Sequence, residues 1–153
     1  MNSPYKEAHF KLDRAPALVR ELAQGIHPSA LSERGLGAAL RIVAARAPIR
    51  VELDVTSTPL ETNISVAAYY IVTEALNNVA KYAGASRAAV RVRETGERLV
   101  VVVEDDGQGG ANMDGGTGLR GLVDRVAALD GLLNVDSPPG GGTRLRAELP
   151  LNP

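Results

Sequence analysis

The sequence predicts an α/β protein of one domain, and three stretches carry that expectation. A continuous β-branched run, Leu99-Val100-Val101-Val102-Val103-Glu104, reads as a strand covered on both faces. Alternation with period two in Ile49-Arg50-Val51-Glu52-Leu53-Asp54-Val55 reads as a strand with one buried face. Between them, Ala67, Ala68, Ile71, Val72, Ala75, Leu76 and Val79 recur at helical spacing and form one broad apolar face. A chain of 153 residues can close one sizeable core. With one Phe and no Trp, that core must be built from Val, Leu, Ile and Ala.

Residues 1–11 are polar and irregular and stay outside the fold argument. From Asp13 a helix is predicted, with Pro16 in its first turn and Leu18, Val19, Leu22 and Ile26 at helical spacing, ending near Gly25. Ser32 offers a cap for a second helix, with Leu36, Ala39, Leu40, Val43 and Ala44 inward and a stop before Pro48. Residues 56–62, with Pro59, form the loop into the long helix. Beyond it, Ala83-Gly84-Ala85-Ser86 breaks the pattern, and residues 88–93 alternate as another strand. Residues 105–118 carry six glycines and read as a loop that stays mobile until a ligand orders it. Helical spacing returns at Leu119, Leu122, Val123, Val126 and Leu129, and Gly131 closes that helix. Residues 132–135 and 143–149 are two more strands, joined through Pro138-Pro139-Gly140-Gly141-Gly142. The count is five strands, two core helices and an N-terminal helical pair, with no internal repeat.

Formal net charge is -1, with 17 basic and 18 acidic residues scattered along the chain, so nothing marks a nucleic-acid footprint. Cys is absent, which excludes disulfides and thiolate metal sites. No run is long enough to span a membrane, and the N-terminus lacks the plan of a signal peptide, so a cytoplasmic fragment is expected.

Three polar constellations carry chemistry. On the long helix Tyr70, Glu74, Asn77, Asn78 and Lys81 line the edge of the apolar face. Glu74 and Asn78 are four apart and lie one above the other, with Lys81 a turn on, so an acid, an amide and a base share a ridge. Taken alone, that ridge is equally a solvated face. Asp105-Asp106-Gly107-Gln108-Gly109 follows the buried strand directly, which suits a ligand approaching the backbone and also suits a plain acidic turn. Gly116-Thr117-Gly118-Leu119-Arg120-Gly121 opens the next helix, where backbone N–H groups and the positive dipole end make a place for phosphate. It also reads as a dinucleotide fingerprint. That reading fails, because a loop rather than a strand precedes it.

Together these segments resemble, in order and spacing, the N, G1 and G2 boxes of the ATP-binding domain of sensor histidine kinases, the fold shared with gyrase, Hsp90 and MutL ATPases. The resemblance covers roughly residues 48–150, and Gly142-Thr143 looks like the family's final nucleotide-contacting pair. Upstream, residues 21–31 resemble the linker from the dimerisation helices in kinases of the nitrate-sensor and desaturase-sensor type, as does a short lid at residues 110–115. The implied division is a helical linker over residues 1–47 and an ATP-binding catalytic domain over 48–153. The implied fold is a Bergerat-type two-layer sandwich, a mixed five-stranded sheet with helices on one face.

The resemblance implies roles as well. Asn78 would hold Mg²⁺ together with triphosphate oxygens, since that hard ion wants oxygen ligands. Glu74 would orient or polarise the nucleophile, and Lys81, with Arg120, would offset phosphate charge. Asp105 would accept from the adenine amino group with Thr143 in support, while Gly107 and Gly109 leave room for the base. Gly116, Thr117, Gly118, Leu119 and Gly121 would cradle phosphate. The family's phosphoacceptor histidine has no counterpart here: His9 lies in a weakly patterned stretch and His27, before Pro28, reads as a capping or packing residue. Tyr82 stands where relatives often carry His.

The implied function is therefore a kinase domain that uses ATP and Mg²⁺ to phosphorylate a histidine on a dimerisation domain. A response regulator would act downstream, within a homodimeric parent protein. Alternatives are an anti-sigma-factor serine kinase of the same fold, a nucleotide-binding module without turnover, and a gyrase-like ATPase that would need a transducer domain after Pro153.

Overall fold

The computed structural model describes residues 29–110 and 117–151. The helix predicted from Asp13, both histidines and Gly116 lie outside them.

Two short helices, α1 (Ser29–Arg34) and α2 (Leu36–Arg46), precede strand β1 (Arg50–Val55). Ser32 does not cap the second helix; it sits inside α1. The break falls at Gly35, whose φ of 89° is a conformation that side chains disfavour, and α2 starts behind it without a side-chain cap. Leu31, Leu36, Ala39 and Leu40 are buried in the same core cluster as the rest of the molecule.

The long helix α3 (Thr62–Asn78) buries Ala67, Ala68, Ile71, Val72, Ala75 and Leu76, as its spacing predicts, and Ile64 besides. Tyr69 and Thr73 are buried too, and the Thr73 hydroxyl donates to the Tyr70 carbonyl at 3.0 Å. The chain then widens into one π-helical turn (Val79–Ala83), closed by Gly84. Periodicity did not announce that turn.

Strands β2 (Arg87–Thr95), β3 (Arg98–Asp105), β4 (Leu132–Asp136) and β5 (Thr143–Pro150) complete a five-stranded sheet of order β1-β2-β3-β5-β4. The β1–β2 pair is parallel and the others antiparallel, so the sheet is mixed as predicted. Helix α4 (Thr117–Ala128) follows the glycine-rich loop and ends where the Gly131 N–H returns to the Val126 carbonyl at 2.9 Å.

The helices pack on one face of the sheet. Leu99, Val101 and Val103 of β3 join Val90, Val92, Leu145, Ala147 and Leu149 in the core beneath them. Val100 and Val102 are also buried, on the face without helices. Val102 pairs with Arg91 and Arg146, and Val100 with Arg93 and Glu148, so the stems of long charged neighbours flank both valines. The run is thus covered on both faces, but by different means.

Candidate functional site

Asp105 is the last residue of β3, and across the ladder to β5 its partner is Thr143. A carboxylate and a hydroxyl therefore stand side by side at the end of the sheet. The Asp105 carboxylate accepts the Gly107 N–H at 2.8 Å, which turns the chain out of the strand. The Thr143 hydroxyl lies 2.7 Å from that of Ser137. Sequence reading passed over Ser137, and only the hairpin's closure brings it to Thr143.

Asp106 faces elsewhere. Its carboxylate accepts the N–H groups of Ser86 and Arg87 at 2.8 and 3.1 Å and the Ser86 hydroxyl. These bonds, the Ser86 hydroxyl foremost, hold its pKa at about 2. The acid fastens the entry to β2 onto the exit of β3.

The loop after Asp105 is tied down on two sides. The Gln108 N–H donates to the Ala83 carbonyl at 2.8 Å, joining the loop to the end of the π turn. The Gly110 N–H donates to the Ser137 carbonyl at 2.8 Å, and the Gly140 N–H to the Gln108 carbonyl at 2.6 Å, joining it to the β4–β5 hairpin. This gives Gly107 and Gly109 a reason that differs from room for a base. A side-chain carbon at Gly107 would fall 2.3 Å from the Ala83 carbonyl oxygen, and one at Gly109 2.0 Å from that of Pro138. What needs the space is the protein's own backbone.

On α3 the polar edge forms with Tyr70, Glu74 and Asn78 at successive turns, all half-buried, and Lys81 exposed in the π turn. A π turn takes more residues than an α turn, so Lys81 no longer continues the straight line its spacing suggested. Its charge still reaches the acid. Burial pushes the Glu74 carboxyl above its ordinary pKa, and Lys81 pulls it back.

Helix α4 closes the site from the side. Thr117 and Gly118 open it, the Leu119 side chain is buried in the core, and Arg120 is exposed. What Leu119 offers outward is therefore its backbone. Gly121 faces α3, where a side-chain carbon would lie 3.7 Å from the Tyr70 hydroxyl. Toward the other end of the two helices, Asn63, Val66, Ala128 and Leu129 help to line a cleft of about 380 Å³. Arg125 lines it as well, so the cleft begins beside Tyr70, while its Asn63 end lies roughly 20 Å along α3 from Asn78, 15 residues on.

The fold thus collects the C-terminal end of α3, the loop after β3, the start of α4 and the β4–β5 hairpin at one end of the sheet. Residues 63–153 match the family described as histidine kinase-, DNA gyrase B-, and HSP90-like ATPase. The chain belongs to that family. It is 33% identical over 144 residues to the sensor histidine kinase MctS of Rhizobium johnstonii, an alignment covering 86% of this chain and 31% of that protein. It is 34% identical over 151 residues to the sensor histidine kinase NarS of Mycobacterium tuberculosis, covering 92% and 35%. The structure superposes with TM-score 0.64 on a blue-light activated histidine kinase of Erythrobacter litoralis, at 28% identity, covering 95% of this chain and 46% of that one. A likeness in fold extends to the mycobacterial sensor histidine kinase MprB, at TM-score 0.60 and 24% identity, covering 77% of this chain and 93% of that one. The chain spans about a third of the length of the curated relatives it matches.

Proposed function

We propose that this chain is the ATP-binding catalytic domain of a two-component sensor histidine kinase. It would transfer the γ-phosphoryl group of ATP to a histidine on a dimerisation domain, from which the group passes to a response regulator. The observation that carries this reading is the joining, through Ala83, of the Asp105–Thr143 sheet end to the helix that bears Glu74 and Asn78. Similarity to MctS and NarS supports the kinase assignment over other ATPases of the family.

In this reading the Asp105 carboxylate, with Thr143 beside it, accepts from the amino group of adenine. The backbone at the start of α4, with Gly116 before it, Thr117, Gly118 and Leu119 in its first turn and Gly121 a turn on, receives the phosphates at the positive end of the helix dipole. Lys81 and Arg120 offset their charge. The Asn78 amide oxygen is a hard donor that suits Mg²⁺, which when bound neutralises charge on the triphosphate. Among the described residues no three of His, Asp and Glu gather as a metal cage, so this ion would take most of its ligands from phosphate and water. Glu74 orients the incoming imidazole and accepts its proton as the nitrogen–phosphorus bond forms, the bond to the β–γ bridging oxygen breaks and ADP leaves. We assign residues 48–153 to the catalytic domain and residues 1–47 to the linker from the dimerisation region, with α1 and α2 packed onto the catalytic core.

The test is transfer of label from γ-labelled ATP to a supplied dimerisation domain. Phosphohistidine, labile in acid and stable in base, is the expected product. Label that survives acid would assign the chain to serine kinases, and no transfer at all would overturn the kinase reading. For the metal ligand, Asn78→Ala should weaken Mg-ATP binding at least about tenfold and metal-free ADP binding much less. Equal losses would remove Asn78 from that role.

A further inference from the structure

Tyr70 stands one turn before Glu74 on α3, at the point where α4 meets the polar edge. The Arg125 guanidinium lies over its ring, 4.0 Å from the centroid. Its hydroxyl faces Gly121, 3.7 Å from where a side-chain carbon would sit. Gly121 and Arg125 are four apart, so the tyrosine spans one turn of α4. The contact is also felt electrostatically. Burial first, and then the Glu74 carboxylate, push the Tyr70 hydroxyl above its ordinary pKa, while Arg125 pulls it down.

Leu119, Leu122 and Val126 hold α4 onto the core. Aliphatic burial is non-directional, so it resists lifting more than sliding along the helix axis. A cation seated over a ring is directional. Sliding matters here, because the first turn of α4 carries the backbone assigned to the phosphates while Glu74 is fixed on α3.

We propose that Tyr70 and Arg125 form a clasp that sets the axial position of α4 against α3 and so places the phosphate-binding start of α4 relative to Glu74. Both are positioning residues, and the proposal rests on the nucleotide reading above. The clasp acts on the phosphate end alone. Asp105 and Thr143 belong to the sheet and the hairpin, and their pairing does not pass through α4.

The experiment compares the wild type with Tyr70→Phe, Tyr70→Leu, Arg125→Lys and Arg125→Gln. Calorimetry measures adenosine and Mg-ATP binding, and a supplied dimerisation domain reports the transfer rate. Adenosine affinity should stay within about twofold throughout, showing that the base end is intact. Arg125→Gln and Tyr70→Leu should lose about threefold to thirtyfold in Mg-ATP affinity, the span that a cation–ring contact supports, and at least as much in transfer rate. Tyr70→Phe keeps the ring and the stacked cation but loses the hydroxyl's hydrogen bond with Arg125, so it should fall between, as should Arg125→Lys. Parallel losses of adenosine and Mg-ATP affinity would reduce the pair to ordinary packing and overturn the proposal, as would unchanged Mg-ATP binding and transfer in Arg125→Gln. If Tyr70→Leu does not fold, Arg125→Gln decides alone. A wild type that binds neither adenosine nor Mg-ATP would overturn the nucleotide reading itself, and that control keeps the two failures distinct.

Discussion

Asp105 and Asp106 are neighbours with the same side chain and opposite employment. Asp106 spends its acceptor capacity on Ser86 and Arg87. Asp105 accepts from Gly107 and stands beside Thr143 at the sheet end. An ionised Asp105 can only accept, which suits the amino group of adenine and opposes the carbonyl of guanine. A mismatch there costs about 1–3 kcal/mol, so ATP should bind at least roughly tenfold more tightly than GTP. Asp105→Asn, whose amide offers either partner, should bind ATP more weakly and discriminate less; calorimetry with both nucleotides checks it. Glu74 makes a different prediction. Its folded-state pKa is raised by burial, so stability is greatest below the ordinary carboxylate value and declines as pH rises through that value to the raised one. At neutral pH the charge is a burden to the fold. Glu74→Gln should therefore raise Tm at pH 7 while lowering the transfer rate by about a hundredfold or more. A variant that is less stable and still active would contradict both roles.

At the scale of elements, residues 107–110, just after β3, are less free than their composition suggests. Gly109 has φ 67° and its missing side chain makes way for the Pro138 carbonyl, whereas Gly110 has φ 76° with nothing within 4 Å. Gly109→Ala therefore meets strain and a clash, and should cost more than about 2 kcal/mol. Gly110→Ala meets the strain alone, about 1–2 kcal/mol; urea denaturation of the two variants measures the difference. The strands and the core face of α3 were legible because alternation and helical spacing state them directly. Residue pattern marked a helix start ahead of α2 but not its position, since Ser32 and Gly35 can each stand at a helix boundary and only the backbone shows that Gly35 does. The π turn was illegible, because one extra residue per turn leaves no trace in a five-residue window. The partners of Gly107, Gly109 and Asp106 were equally hidden, as each contact joins distant segments. Tyr70 was visible as part of the polar edge, whereas its pairing with Arg125 depends on how α4 is docked.

Across the whole molecule, the sheet order places β3 at the centre, between β2 and β5. The end of β3 thereby becomes the meeting point of α3 through Ala83, of β2 through Asp106, and of the β4–β5 hairpin through Gly110 and Ser137. Helices α1 and α2 share the core, and the hydrogen bonds that tie this junction do not involve them. On the reading proposed above, this one end of the fold is a nucleotide site. Backbone amide NMR of the chain titrated with Mg-ATP tests it most directly. Shift changes should gather at residues 74–86, 105–110, 117–121 and 137–143, and leave α1 and the cleft near Asn63 and Leu129 unmoved. Saturable changes centred on that cleft, or none at the end of β3, would contradict the claim.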